Sequence, residues 1–257
     1  MVIIVGIDLA WSGRRPTGIC LLEVSESSQR LLELSCSSPM ADATAIHEIL
    51  DVLGPDVVAG IDGPLVTGPD RRAEADLARA FGRQGVYAYA ARLDFLERHG
   101  ISEGPRLGAL LRTSGWNLDP LATEAGASGR HALEVFPHAT IVSLLGAPRA
   151  LKYKKGTLAA RLGPLTEFQA MLRAYAERDL PCLVDVSARG ILNVPIEMQS
   201  GASLKALEDQ LDAMACAIAA FHAWKFGSEG VSIFGDATNG YIAVPKPITS
   251  SPAPSSP

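Results

Sequence analysis

The sequence predicts an α/β fold with a mixed sheet, helices on both faces and an insertion. Three observations support this fold class. Residues 2–36 contain three short apolar segments joined by turns, which is typical of an antiparallel meander. Apolar segments of strand length then alternate with helical periodicity, and such alternation places helices against a sheet that continues with parallel strands. The 257 residues are 47% hydrophobic and 20% charged, a composition that supports a buried core.

The predicted meander begins with residues 2–7, VIIVGI, a continuous run of mostly β-branched residues that indicates a buried strand. The segment 12–16, SGRRP, has the composition of a turn. Two further strands are predicted at 17–24 and 29–36, and the polar residues 25–28 join them.

Helices and strands are predicted to alternate after the meander. The helix at 42–53 opens with Asp42 as its N-cap and ends at Gly54-Pro55. The longest helix, 203–226, has an apolar stripe along one side. The other predicted elements are a strand at 56–61, a helix at 70–81, a strand at 131–136, helices at 138–146 and 164–178, and strands at 180–186 and 240–244.

Domain organisation follows from where the periodicity weakens. Most of residues 64–130 shows no sustained period, which predicts an insertion within a single domain of residues 1–245. Residues 246–257 are rich in proline and serine, and we expect a disordered tail there.

Charge and composition argue against several classes of protein, although an acidic total does not exclude a local basic groove. A net charge of −5 and a pI near 5.6 give no overall basic character of the kind that nucleic-acid binders usually show. The four cysteines are scattered without a C-x-x-C pair, which argues against a zinc site or a disulfide framework. The sequence has neither a signal peptide pattern nor an apolar stretch of membrane-spanning length. We therefore expect a cytoplasmic protein with no membrane partner.

Two G-I-D segments end separate buried strands and contain Asp8 and Asp62. The carboxyl edge of a sheet is where α/β proteins bind their ligands, so both carboxylates are candidate catalytic groups. Two close carboxylates repel each other, which calls for a shared proton or a divalent cation. The alternative for Asp8 is an aspartate that only caps a turn.

Two further acids are candidate catalytic residues. Glu134 ends another predicted strand, although a glutamate facing solvent at an edge strand would also fit. Asp212 is the only charged residue of the apolar stretch 211–221, and a carboxylate there is costly to bury without a partner or a metal ion. Glu208 and Asp209 lie within one helical turn and could substitute or assist.

Basic residues in and before the segment KYKKG are expected to bind phosphate oxygens beside the acidic site, and Tyr153 is expected to stack on a base. A solvated loop is the alternative for this run, and His138 is interpreted as structural. The predicted substrate-binding residues are Arg149, Lys152, Lys154, Lys155, Arg71 and Arg72.

Six motifs together resemble the family called domain of unknown function 429, a group of predicted ribonuclease H-like nucleases. They are GIDLAW, GIDGPL, EVFPHA, KYKKG, LDAMACAIAA and GYIAVP, and the resemblance covers residues 3–245. It implies a ribonuclease H-like fold with Asp8, Asp62 and Asp212 as candidate metal ligands. Glu134 matches the strand-end glutamate of the family, and the segment 82–92 is similar to its arginine-containing stretch.

These residues together predict a metal-dependent nuclease or phosphodiesterase. Mg²⁺ or Mn²⁺ would activate a water molecule, and nucleic acid or another phosphodiester is the expected substrate. Two alternatives remain. The first G-I-D segment followed by Thr17 also resembles the first phosphate loop of actin-like ATPases and sugar kinases, although their second glycine-rich phosphate loop is not found in the sequence. A non-catalytic ribonuclease H-like scaffold is the other alternative.

Overall fold

Five strands form one mixed sheet in the computed structural model, which describes residues 1–24, 31–179 and 189–248. Their order is β3-β2-β1-β4-β5. β1 pairs antiparallel with β2, and β2 with β3, whereas β1, β4 and β5 run parallel. This sheet confirms the predicted ribonuclease H-like fold class. The strands are β1 (Val2–Asp8), β2 (Gly18–Val24), β3 (Leu31–Ser37), β4 (Val57–Asp62) and β5 (Arg130–Glu134).

Helices cover both faces of the sheet, as predicted. α8 packs directly against β1, β2 and β4 on one face. On the other face, buried residues of α1 and α4 pack with the sheet. The helices are α1 (Ala43–Asp51), α2 (Ala73–Phe81), α3 (Leu93–His99), α4 (Glu103–Thr113), α5 (Pro137–Ser143), α6 (Leu158–Asp179), α7 (Arg189–Asn193) and α8 (Gly201–Phe226).

Successive side chains of β1 enter two different cores. Ile4 packs with α6 and α8, whereas Val5 and Ile7 pack with α1 and α4. This alternation follows from the period of two along a strand. Since both faces are covered, the strand is apolar at nearly every position, and this is the pattern from which it was predicted.

A hairpin outside the main sheet contains the last predicted strand. β6 (Val231–Asp236) and β7 (Gly240–Pro245) form a two-stranded sheet. β7 confirms the predicted strand at 240–244, but its partner β6 was missed. Gly235 in β6 has φ near +91°, and a Cβ there would meet the carbonyl oxygen of Gly240 at 2.3 Å. The close approach of β6 and β7 therefore requires a glycine at this position. The same glycine interrupts the strand pattern, which is why β6 was missed.

The predicted insertion contains more helix than the sequence suggested. α2 confirms the helix predicted at 70–81, whereas α3 and α4 were missed. The status of 64–130 as an insertion stays a prediction. The strand predicted at 180–186, the turn at 25–28 and residues 249–257 of the tail lie outside the described residues. Across the ranges that the structure describes, no helix combines the length and apolar character needed to cross a membrane.

Candidate functional site

The two G-I-D segments bring β1 and β4 into close contact with α8. A Cβ at Gly6 would lie 1.8 Å from the carbonyl oxygen of Ala213, and one at Gly60 would lie 2.4 Å from that of Cys216. Only glycine allows the helix backbone to approach so closely. Because strand side chains alternate, each aspartate shares a face with the glycine two residues before it. The motif therefore directs both carboxylates to the face that α8 covers.

Asp8 and Asp62 are direct neighbours in the parallel register of β1 and β4, and adjacent strands lie about 4.8 Å apart. Both residues line a cleft of about 680 Å³. The Asp8 side chain keeps only 12% of its surface exposed. The structure therefore brings the two predicted carboxylates together at one end of the sheet, as the matching motifs suggested.

Asp212 reaches the same place from α8 but is completely buried. Its Oδ1 accepts a 2.5 Å hydrogen bond from the hydroxyl of Tyr153. Its Oδ2 lies 2.7 Å from Nζ of Lys154, and that nitrogen is 3.7 Å from Oδ2 of Asp8. A lysine ammonium thus lies between two of the three predicted metal ligands.

The charges of this cluster change the protonation of its members. Burial raises the pKa of Asp8 well above its usual value, and Asp212 and Asp62 raise it further against the opposing effect of Lys154. Burial likewise raises the pKa of Asp62 to about 7. Burial alone would lower the pKa of Lys154, but the three carboxylates outweigh it and raise that pKa well above its ordinary value. Lys154 therefore carries a positive charge at neutral pH.

Glu134 forms one wall of the cleft and is held by Arg71. The guanidinium contacts both carboxylate oxygens, at 2.5 and 3.1 Å, and also bonds to Glu74 and to the carbonyl oxygen of Val66. Burial raises the pKa of Glu134 to about 7, although Arg71 opposes this shift. Arg71 is buried and does not line the cleft, so its described contacts organise Glu134 instead of meeting a substrate.

The other predicted basic residues divide into two groups. Lys155 lines the cleft, and its Nζ lies 5.6 Å from the centre of the Tyr89 ring. Arg149, Lys152 and Arg72 are exposed but lie outside the cleft lining. Of the predicted substrate-binding residues, only Lys154 and Lys155 reach the cleft.

Glu208 and Asp209, the possible substitutes for Asp212, are occupied by other partners. Glu208 forms an ion pair with Arg161, and Asp209 forms one with Lys205. Both acids are buried in α8. These pairs favour a structural role for the two acids and leave Asp212 as the acid of α8 that contacts the cluster through Lys154.

His138 lies closer to the site than its structural interpretation suggested. It lines the cleft, and its ring centre is 5.1 Å from that of Tyr153. Burial lowers its pKa to about 4, with Lys154 and Lys155 adding to the effect against Asp212. The imidazole is therefore neutral at neutral pH. Its position directly after the strand that carries Glu134 was the available sequence clue.

An aromatic and basic rim around the cleft was missed in the sequence. Tyr87 and Tyr89 come from the segment that follows α2, Trp11 follows β1, and Arg15 belongs to the turn before β2. The alternating YAY pattern between glycine and arginine was the available sequence clue. Two tyrosines among small residues lack the apolar neighbours that would indicate a buried element.

Comparison with known proteins identifies the family of this chain. The family model described as Protein of unknown function (DUF429) matches residues 6–238. The chain belongs to this family. No curated protein and no solved structure matches it. The match extends from β1 into the β6–β7 hairpin, so the four predicted catalytic acids, Asp8, Asp62, Glu134 and Asp212, lie within the DUF429 region.

The residues of this DUF429 protein fit a hard divalent cation in part. Within the described ranges, no group of three or more His, Cys, Asp and Glu side chains is arranged to hold a metal ion, and Lys154 lies between Asp8 and Asp212. Asp8 and Asp62, however, both face the cleft, and when they are ionised they and Asp212 carry more negative charge than the one ammonium of Lys154 neutralises. Carboxylate oxygens are the ligands that Mg²⁺ and Mn²⁺ prefer. The pair therefore fits such an ion, and Asp212 as a third ligand stays a prediction.

Proposed function

We propose that this protein is a metal-dependent phosphodiesterase that hydrolyses nucleic acid or a related phosphodiester. One observation carries the proposal: Asp8 and Asp62 lie side by side in the cleft, and Asp212 and Lys154 complete the cluster behind them. Structural ion pairs usually match charges, whereas this cluster has three carboxylates for one ammonium. A buried surplus of negative charge is costly unless a proton or a cation joins it.

Asp8 and Asp62 would hold Mg²⁺ or Mn²⁺. Such an ion, when bound, lowers the pKa of a coordinated water and neutralises developing charge on phosphate oxygens. Asp212 would act from behind, because its Oδ1 is fixed by Tyr153 and its Oδ2 contacts Lys154.

The remaining cleft residues would orient the substrate. Lys155 and Arg15 place positive charge at the rim, where they can bind phosphates that flank the reacting one. Glu134 is held rigidly by Arg71, so it can accept a hydrogen bond from a water molecule or a sugar hydroxyl at a fixed point. His138 lines the same space, and because burial lowers its pKa to about 4, its neutral imidazole can take part in a hydrogen bond there.

A cytoplasmic location is part of the proposal. The free thiols of Cys20 and Cys36 face each other across β2 and β3 with their sulfur atoms 3.1 Å apart. Such a pair persists as thiols in a reducing compartment.

The decisive experiment is a cleavage assay with purified protein and Mn²⁺ on labelled single-stranded, duplex and branched DNA and RNA. We expect at least one substrate to be cut and the activity to disappear in Asp62→Asn. The matched control is Asp70→Asn, which removes the same charge from an exposed position and should remain active. Cleavage that survives in Asp62→Asn would indicate a contaminating nuclease and refute the assignment.

Thermal denaturation supplies an independent measurement. An ion that binds the folded protein stabilises it by mass action, so Mg²⁺ or Mn²⁺ should raise the melting temperature of the wild type more than that of Asp62→Asn. Hydrolysis of ATP without cleavage of any nucleic acid would instead support the kinase-like alternative. The absence of both activities and of any metal response would support the scaffold.

A further inference from the structure

Two tyrosines at the rim of the cleft are unusually exposed. Tyr87 and Tyr89 leave 65% and 67% of their surface accessible, although each ring could bury a large apolar area. Exposed rings that belong to the lining of a concave site are typical of ligand contacts. These two residues therefore indicate what kind of substrate the cleft binds.

Polar contacts hold both rings at the rim while most of their surface stays exposed. The hydroxyl of Tyr87 donates a hydrogen bond of 3.0 Å to the carbonyl oxygen of Gly82. The ammonium of Lys155 lies 5.6 Å from the centre of the Tyr89 ring, within the range of a cation–π contact. An aromatic surface and a positive charge thus occur together at one edge of the cleft.

A third ring connects this edge to the acidic floor. The indole nitrogen of Trp11 donates a hydrogen bond of 3.2 Å to the carbonyl oxygen of Asp62, and Trp11 lines the same cleft. The cleft therefore offers flat apolar surfaces at its entrance and carboxylates at its base. A planar group attached to a phosphodiester matches this arrangement better than a sugar or a lipid chain does.

Size and charge restrict the ligand further. A volume of about 680 Å³ lies within the range for one small ligand. A net charge of −5 also disfavours the long electrostatic contact that duplex DNA requires. Unpaired bases, in contrast, expose both faces for stacking.

We infer that the cleft binds the bases of short single-stranded nucleic acid by stacking on Tyr89 and Trp11, with a backbone phosphate at Lys155. The inference rests on the proposed function for the phosphate part of this ligand. The base contacts come from the aromatic rim alone. Binding of the base and cleavage of the backbone can therefore be measured separately.

The test measures fluorescence anisotropy of labelled DNA tetramers with the Asp62→Asn protein, so that bound strands are not cut. A thymidine tetramer is compared with an abasic tetramer of equal phosphate number. We expect the thymidine tetramer to bind about 5- to 150-fold more tightly, the range for one stacked base. Equal affinity for the two tetramers would overturn the inference.

Variants of Tyr89 test whether this residue causes the preference for bases. Tyr89→Ala should reduce the preference for bases to the part that Trp11 contributes, whereas Tyr89→Phe keeps the ring and should retain the full preference. Leu121→Ala removes an equally exposed apolar side chain outside the cleft and should change nothing. A preference that is undiminished in Tyr89→Ala would overturn the assigned stacking site.

Cleavage by the wild-type protein is measured independently of base binding. A base preference without cleavage by the wild type would keep the base-binding cleft and refute the phosphodiesterase. Cleavage without a base preference would keep the phosphodiesterase and refute the stacking.

Discussion

Replacement of Lys154 by methionine tests the charge arrangement of the site most directly. Methionine retains most of the side-chain length but removes the ammonium, which leaves Asp212 and Asp8 without their cation. Removing one partner of a buried ion pair typically costs about 3–5 kcal/mol. Lys154 is 31% exposed and Asp212 keeps its bond to Tyr153, so we expect a smaller loss of about 2–3 kcal/mol.

The loss can be measured by thermal denaturation near pH 7 in the presence of a chelator. For a chain of this size about 2–3 kcal/mol corresponds to a decrease in melting temperature of roughly 4–12 °C. Lys152→Met is the matched control, because Lys152 lies in the same segment but is exposed and outside the cleft. If both variants have the melting temperature of the wild type, the ammonium does not neutralise the acidic cluster and our account of the site is wrong.

Addition of Mn²⁺ to the same variant distinguishes the roles of lysine and metal. Without the ammonium, three carboxylates remain unpaired by a cation, so the ion should stabilise Lys154→Met more than the wild type. Saturation at about 100 times the dissociation constant would contribute about 2.7 kcal/mol. An equal, absent or smaller response in the variant would mean that lysine and metal do not compensate the same charge.

Three further predictions concern the fold and its charges. Burial raises the pKa of Asp62 to about 7, so the free energy of unfolding of the wild type should fall as pH rises from about 4 to 7. Asp62→Asn should equal the wild type near pH 4 and be more stable by about 2 kcal/mol at pH 8. A constant difference between the two proteins in urea denaturation across this pH range would contradict the raised pKa. Gly6→Ala places a Cβ 1.8 Å from the carbonyl oxygen of Ala213 and should lower the free energy of unfolding by about 3 kcal/mol in urea denaturation. Arg71→Lys loses the two-point contact with Glu134 and should cost about 2 kcal/mol; unchanged stability would show that a single charge is sufficient there.

The sheet and the position of the aspartates could be predicted because local pattern determines both. A buried parallel strand is apolar at every position, and its last residue reaches the edge of the sheet. The G-I-D motif contains both requirements, since its glycine accommodates α8 and its aspartate appears on the same face two residues later. Asp212 was recognisable as the one charge in a stretch that is otherwise buried.

The partners of the basic residues could not be predicted, because they depend on contacts between distant parts of the chain. Lys154 and Asp212 are 58 positions apart, and Arg71 is 63 positions from Glu134. A basic residue near an acidic motif therefore predicts phosphate binding as readily as an internal ion pair. The tertiary fold decides between them, and it buries Arg71 while leaving Lys155 at the rim.

The acidic composition and a phosphodiester substrate are compatible because the charges of the cleft are arranged in layers. When Asp8 and Asp62 are ionised, their negative charge at the floor of the cleft would repel a phosphate that approached it directly. The positive groups of the rim, Arg15 and Lys155, lie farther out, where a flanking phosphate would arrive first. A divalent ion between the two layers would attract both the carboxylates and the reacting phosphate. The net charge of −5 therefore disfavours a long duplex contact, but it is compatible with a short phosphodiester that meets Arg15 and Lys155 at the rim.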